Sequence, residues 1–249
     1  MSIPKISIVI PAYNEEKRIK ATLKSIFEQD FPLNKFEVLL IDNNSTDKTP
    51  MIVKKYFPQV KIIKETKQGT VFARIRGVEE AKGEIIAMTD ADAIVPPSWL
   101  SKIVKTYKDP QVVAVGGTTN FDYKNNWIRL CQFCINNFNL AFKTFPGHNL
   151  SFKKKSYFKC GGFSPKVNLC EDFYLAIKIK NCGKVIILKD NPVTVSARRF
   201  FSGFLTYALK YIINIFAILT FDKPIFFKFE EVREETLTSI AWLKEKIKY

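Results

Sequence analysis

The chain has 249 residues, 47% of them hydrophobic, which is enough for one large α/β domain with a full core and excludes global disorder. Lys and Arg number 39 against 24 acidic residues, a formal net charge of +15, so the surface suits polyanions such as nucleic acid, anionic lipid head groups or phosphorylated substrates. The five cysteines, Cys131, Cys134, Cys160, Cys170 and Cys182, are odd in number and irregular in spacing, which speaks against a disulfide framework and for reduced thiols.

The opening "MSIPKISIVIPAYNEE" has no basic leader and an apolar run of strand length, so it reads as a first strand and not as a signal peptide. "EEKRIKATLKSIFEQ" has helical spacing, with Ile19, Leu23, Ile26 and Phe27 on one face. "FEVLLID" is a second strand, and "STDKTPMIVKKYF" is a helix opened by the capping types Ser45, Thr46 and Asp47. "VKIIKE" is a third strand. "TVFARIRGVEEAKG" is a helix stopped by Gly83. "EIIAMTD" is a fourth strand that runs into Asp90 and Asp92 and is then broken by Pro96 and Pro97. Strands apolar throughout and alternating with helices predict an α/β fold with a mostly parallel sheet.

In such a sheet ligands bind outside the carboxyl ends of the strands. "PAYNEE", "DNNSTD" and "TDADA" must then share one edge, which gathers Asp42, Asp90 and Asp92 around one crevice. Carboxylates converging in a basic protein point to a hard divalent ion, magnesium or manganese, with coordination positions left for phosphate oxygens. Ser45 and Asp47 read as caps and loop solvation. "CQFC" stands alone in an apolar, aromatic stretch, and the chain has one histidine, His148, so the cysteines read as packed thiols and not as a zinc site.

Taken in order, "SIVIPAYNEE", "VLLIDNNSTDKT", "ARIRG", "MTDADA", "GGF" and "CEDFYLAIKIKNCGKV" resemble the family 2 glycosyltransferases over roughly residues 5 to 190. The resemblance implies the GT-A fold, a Rossmann-like, mostly parallel sheet flanked by helices. With the change of character after residue 196, the chain is expected to divide into a GT-A catalytic domain, 1–196, and a C-terminal apolar and amphipathic helical extension, 197–249. The resemblance implies that Pro11, Tyr13 and Glu15 form a nucleotide cradle, that Asp42 meets the base or ribose, and that Arg74 lies near the nucleotide. Asp90 would lie near the ribose and share with Asp92 the metal, Mn2+ or Mg2+; Asp172 would be the general base, with Glu171 beside it. "TFPGHNLSFKKKSYFKCGGF" resembles the segment lining the sugar and acceptor pocket, which makes His148 and Asn149 candidate substrate contacts. Arg198 and Arg199 of "SARRF" would approach the donor diphosphate. Two departures stand out: Ile75 where the family often has Asn, and "DNN" where "DDG" or "DDS" is common.

The expected activity is inverting transfer of a sugar from a UDP- or GDP-linked donor to an acceptor hydroxyl or lipid phosphate, in cell-envelope or other glycan biosynthesis. The acceptor, whether glycan, lipid carrier or protein, is left open; nucleic acid is not expected as a partner. The alternatives are a nucleotidyltransferase of related fold and a degenerate membrane-surface binding module. "EDFYLAIKIKNCG" reads as a helix with Phe173, Ile177 and Lys180 on one stripe and its acids in the first turn, where the helix dipole favours them.

Beyond residue 196 the chain turns apolar and aromatic. Lys210 is the only charge between Gly203 and Phe221, and Thr206, Lys210 and Asn214 recur at helical spacing as one polar stripe. Such a helix suits the membrane interface better than a span, with Arg198, Arg199, Lys223 and Lys228 nearby for anionic head groups. The expected location is therefore cytoplasmic and peripheral, on the inner face of the membrane, with a packing helix or a homodimer left open. "FEEVREETLTSIAWLKEKIKY" reads as a last amphipathic helix.

Overall fold

The computed structural model describes residues 6–123, 125–201, 204–221 and 224–226, apart from the side chains of residues 199 and 204–207. The expected helix over 229–249 lies outside the described residues.

Seven strands form one sheet: β1 (Ile6–Ala12), β2 (Phe36–Asp42), β3 (Lys61–Lys64), β4 (Ile85–Met88), β5 (Val112–Phe121), β6 (Leu150–Lys153) and β7 (Lys184–Val195). Their order is β3-β2-β1-β4-β6-β5-β7. β1 pairs in parallel with both β2 and β4, in register Ala12 to Asp42 and Val9 to Met88. β6 runs antiparallel to β4 and β5, and β5 is parallel to β7. The fold is the expected α/β arrangement, mostly parallel and flanked by helices. The second half of the sheet lacks the regular strand–helix alternation from which the first half was read.

The helices are α1 (Ile19–Phe27), α2 (Thr49–Tyr56), α3 (Thr70–Glu80), α4 (Trp99–Thr106), α5 (Asn126–Phe142), α6 (Lys154–Lys159), α7 (Glu171–Ile179) and α8 (Phe204–Phe221). α3 stops at Glu80, short of Gly83, whose N–H instead donates to Ser7 Oγ on β1 at 2.8 Å. α7 stops at Ile179, and Lys180 opens a 3-10 turn.

The central strands are apolar on both faces because helices cover both. Ile6, Ile8 and Ile10 pack on α1, whereas Val9 packs toward α3. α3 lies so close that a Cβ on Gly77 would sit 2.2 Å from Val9 Cγ1. This close approach fixes the position of Arg74, one turn earlier on the same helix.

The topology brings most of the marked residues to one edge. The carboxyl ends of β1, β2 and β4 lie there, as the parallel registers require. β6 is antiparallel, so the edge receives its start instead, and residues 147–149 arrive beside the end of β4. The strand order turns outward between β1 and β4, the position at which open α/β sheets bind ligands.

α8 differs from the expected interfacial helix in one respect. Asn214, expected on a polar face, is fully buried; its Nδ2 donates to Phe226 O, and its Oδ1 accepts from the N–H groups of Ile225 and Phe226. Ala217 and Ile218 are buried as well, and Ile218 packs with Val167, Leu169, Cys170 and Phe173. Leu209, Ile212, Phe216 and Leu219 remain exposed. The side chains of Phe204, Leu205 and Thr206 lie outside the description. No described helix is long and apolar enough to cross a membrane. The cysteines are not uniformly packed: Cys170 is buried, but Cys134 is exposed on α5.

Gly77→Ala should destabilise the protein by about 1–3 kcal/mol, because overpacking against Val9 outweighs the ~1 kcal/mol that alanine gains inside a helix. A lowered urea midpoint at unchanged slope is the expected result; a raised midpoint would contradict the packing.

Candidate active site

The loops after β1 and β2 are stitched to each other before they can contact any ligand. Asn14 takes a left-handed conformation, φ 54°, and its Oδ1 accepts from the N–H groups of Thr46 and Asp47 at 2.7 and 3.2 Å. In return, Asn14 N–H donates to Ser45 Oγ and Glu15 N–H to Thr49 Oγ1. Asp47 accepts from Glu16 N–H and Thr49 N–H, so it satisfies the first amide of α2 and ties the two loops together. The "PAYNEE" turn that carries Tyr13 and Glu15 is thereby held against the "DNNSTD" turn, while Pro11 lies within β1 itself.

Asp42 does not join the other acids as expected. It is buried at the end of β2, and its Oδ1 accepts from Ser45 N–H at 3.0 Å, within its own turn. Among the described residues no group of three or more His, Cys, Asp or Glu side chains is arranged to hold an ion.

The acids that do gather are organised by two arginines. Arg74 projects from α3 and is 3% exposed. Its Nη2 lies 3.0 Å from Asp90 Oδ1 and its Nε 3.4 Å from Glu171 Oε1. Burial works against its charge, but Glu171, Asp90 and Asp172 more than offset this and raise its pKa. Arg198 stands on the far side of the pair Asp90–Asp92. Its Nη2 lies 2.6 Å from Glu15 Oε1 and 3.0 Å from Asp92 Oδ2, and its Nη1 lies 3.2 Å from Glu15 Oε2. The bidentate grip on Glu15 has the planar geometry that suits guanidinium and carboxylate. Arg198 is delivered there because Ala197 N–H donates to Asp122 Oδ1 at 2.8 Å, just past the ends of β5 and β7. The side chain of Arg199 lies outside the description.

Glu171 and Asp172 open α7. Cys170, immediately before them, takes a left-handed conformation, φ 66°, which costs a residue with a Cβ about 1–2 kcal/mol. The turn aims both acids at the crevice. Asp172 Oδ2 accepts from Gly147 N–H at 2.7 Å and Oδ1 from Phe173 N–H at 2.8 Å, so the carboxylate is fixed at both oxygens. Gly147 must lack a side chain, since a Cβ there would lie 2.4 Å from Arg74 Nη2. Burial is the main cause of the raised pKa values of both acids: Glu171 is pushed up to about 7, and Asp172 is raised despite the opposing charge of Arg74. Glu15 is raised by burial too, against the pull of Arg198.

The other two candidates part company. His148 Nε2 lies 3.0 Å from Thr119 Oγ1 on β5, beside the Gly147 that holds Asp172. Asn149 is 1% exposed and wholly committed to the protein. Its Oδ1 accepts from Trp99 Nε1, and its Nδ2 donates to the carbonyls of Thr118 and Asn191. It braces the sheet behind the crevice and is not placed to meet a substrate. The contact between Gly147 and Asp172, and that between Arg198 and Glu15, escaped the sequence reading, because nothing in a local pattern signals partners separated by 25 and 183 positions.

Glu171 makes a pH prediction. Its folded pKa, about 7, lies above the ordinary 4.5, so the folded state holds the extra proton. Its contribution is complete below about pH 4.5 and is lost as pH rises through 7, a change of order 1–3 kcal/mol. Glu171→Gln should flatten the fall in melting temperature between pH 5 and 8. An unchanged slope would mean that Glu171 does not carry the proton.

Comparison with known proteins places this geometry in context. Residues 7–170 match the family model described as "Glycosyl transferase family 2". A glycosyltransferase named AglE, from Haloferax volcanii, is 35% identical over 128 residues, 50% of this chain and 42% of that protein. A Methanococcus voltae protein is 34% identical over 125 residues, 46% of this chain and 39% of that protein; it is named dolichyl N-acetyl-α-D-glucosaminyl phosphate 3-β-D-2,3-diacetamido-2,3-dideoxy-β-D-glucuronosyltransferase. The matched segments thus cover less than half the length of these relatives. Among solved structures, the Pyrobaculum calidifontis mannosyltransferase PcManGT, in complex with GDP-Man and Mn2+, superposes with a TM-score of 0.74 at 25% identity, over 96% of this chain and 68% of that one.

Proposed function

The chain belongs to glycosyl transferase family 2, and on that premise we propose that it is a metal-dependent, inverting glycosyltransferase using a UDP- or GDP-linked sugar. The observation that carries the reading is the bridge made by Arg74. One buried cation joins Asp90, in the pair expected to hold the metal, to the Glu171–Asp172 turn expected to supply the base. In this reading Asp90 and Asp92, as metal ligands, and Asp172, as base, would stand on two sides of one crevice.

The metal fits the residues present. Asp92 already faces a cation, the Arg198 guanidinium, and two carboxylates are as many as a Mg2+ or Mn2+ ion needs when a diphosphate completes its shell. Asp92 and Asp90 would hold the ion, which when bound neutralises the charge that develops on the departing nucleoside diphosphate. The charge pattern favours metal and diphosphate entering together. An ion alone would meet Arg198, and a diphosphate alone would meet Glu15, Asp90 and Asp92. The manganese in the complex of PcManGT with GDP-Man supports the same choice for this chain.

Asp172 takes the proton of the acceptor hydroxyl as its oxygen bonds to the anomeric carbon. The bond to the diphosphate oxygen breaks on the opposite face, and its electron pair leaves with the nucleotide. Attack opposite the leaving group inverts the centre, so an α-linked donor gives a β-linked product. A carboxylate whose pKa is raised by burial is a stronger base than one free in water. The dolichyl-linked acceptor named for the Methanococcus voltae relative supports a lipid carrier on the acceptor side here. In this reading Pro11, Tyr13, Glu15 and Asp42 shape the nucleotide site, His148 borders the sugar, and residues 197–249 form an extension that seats the enzyme at the inner face of the membrane.

Asp92→Asn should abolish transfer and weaken manganese-dependent nucleotide binding in calorimetry while leaving the melting temperature near that of the wild type. Undiminished wild-type activity in excess chelator would overturn the metal's role.

Asp172→Asn should retain donor binding but lose about 10²–10⁴ in turnover, the usual contribution of a general base. Near-normal turnover would remove Asp172 as the base, and would then favour an acceptor that is already anionic, such as a lipid phosphate.

A further inference from the structure

The site leaves one large feature unused. α5 was not read from the sequence as a functional element, yet it exposes Trp127 (52%), Leu130 and Phe133 (65%) along one stripe. α8 exposes Ile212 (63%) and Phe216 (67%) along another. Isolated exposed apolar residues are ordinary, but stripes repeated on two helices mark a surface that docks onto something.

The two helices are linked at both ends. Near their starts, the Tyr123 and Phe201 rings meet edge to face at 5.2 Å, both exposed. Near their ends, Phe138 of α5 and Ile215 and Ile218 of α8 join one apolar cluster with Cys170 and Phe173. At 17 and 18 residues, each helix is roughly 25 Å long at 1.5 Å per residue. The exposed stripes thus belong to two helices tied together by the Tyr123–Phe201 ring pair and by the apolar cluster around Cys170 and Phe173.

The charge around these stripes selects their partner. The sequence has no Asp or Glu between Asp122 and Glu171, nor between Asp190 and Asp222. The charges carried by the two helices are Arg129 and Lys210, with Lys143 just past the end of α5. A face-to-face pair of copies would set this acid-free, cationic surface against itself, which like charges oppose. A surface of anionic head groups meets both requirements, since it buries apolar stripes and attracts cations at about 1 kcal/mol per Lys or Arg.

We infer that α5 and α8 together dock this protein on an anionic lipid surface, with α5 contributing as much as α8. The inference rests on the membrane seat proposed above for residues 197–249 and extends it to α5; it does not rest on the chemistry of the site. It places the membrane directly against the element that packs on the turn carrying Asp172.

The test uses the full chain and vesicles of phosphatidylcholine with or without a quarter of phosphatidylglycerol. The wild type should sediment with the anionic vesicles, less so at high salt, and little with phosphatidylcholine alone. The double substitutions Leu130→Asp with Phe133→Asp on α5, and Ile212→Asp with Phe216→Asp on α8, should each weaken binding by about ten-fold or more. Melting temperature and manganese-dependent nucleotide binding should stay at the wild-type level, which separates failure of docking from failure of the site. In a Trp242→Phe background, brominated lipid should quench Trp127 but not Trp99, which is fully buried. Vesicle binding unaffected by the α5 pair would overturn the inference. Equal binding to neutral vesicles would overturn it too, as would a solution dimer broken by the same substitutions in a protein that ignores vesicles.

Discussion

The guanidinium of Arg74 is the constraint on which the rest of the site depends. A cation in the interior is tolerable only when anions surround it, and here Asp90, Glu171 and Asp172 do so. Those three acids come from two distant parts of the chain, the end of β4 and the start of α7. Glu171 could not be buried without the cation, nor the cation without the acids around it. A buried ion pair contributes little net stability once desolvation is counted, and removing one partner is costly. What Arg74 provides is therefore position. It holds Asp90 and the Glu171–Asp172 turn at a fixed separation, and its Nη1 has no hydrogen-bond partner among the described residues. The same packing explains why the neighbouring residue is Gly147, and the Gly147 amide in turn anchors Asp172.

Arg198 repeats this arrangement closer to solvent. It gathers Glu15 and Asp92 as Arg74 gathers Asp90 and Glu171, so a protein with a formal charge of +15 brings acids from three parts of the chain to one crevice and pairs them with two internal cations. The difference in burial matters. Arg74 is 3% exposed and locked by a glycine, whereas the Arg198 side chain is 17% exposed and reached through the turn after β7. The first arginine fits a permanent scaffold. The second is more accessible to solvent and, in the function proposed above, is the one that could exchange its carboxylates for phosphate oxygens.

Much of this was legible because local pattern and global topology agree in the first half of the chain. Apolar strands alternating with amphipathic helices have one economical solution, and that solution places "PAYNEE", "DNNSTD" and "TDADA" on one edge without any knowledge of contacts. The second half gave no such alternation. β6 is antiparallel, β5 and β7 are long, and polar residues within them such as Thr118 and Asn120 bond across the sheet to Lys189 and Thr194. Asn149 illustrates the limit, since beside His148 in a turn it reads as a ligand contact, yet it satisfies Trp99, Thr118 and Asn191 in the interior. Asp42, expected among the metal-facing carboxylates, and Asn214, expected on a polar face, have local partners of the same kind. Each is polar at a suggestive spacing, and each closes a nearby backbone turn that sequence periodicity does not register.

α8 explains why a helix that is apolar almost all round need be neither a core helix nor a span. Its inner side, Ala217 and Ile218, is covered by the protein, and Asn214 spends its polar groups on holding residues 225 and 226. Its outer side is left for another surface. The inner side rests on Cys170 and Phe173, the residues that bracket Glu171 and Asp172. Cys170 holds a backbone conformation that a residue with a Cβ adopts only when its surroundings enforce it, and α8 is part of those surroundings, with Cys170 Sγ 3.9 Å from Tyr211 O. Whatever seats α8 therefore also bears on the turn that carries Glu171 and Asp172. The apolar extension and the charged crevice share one piece of backbone, and through it the packing of the tail bears on the position of Asp172.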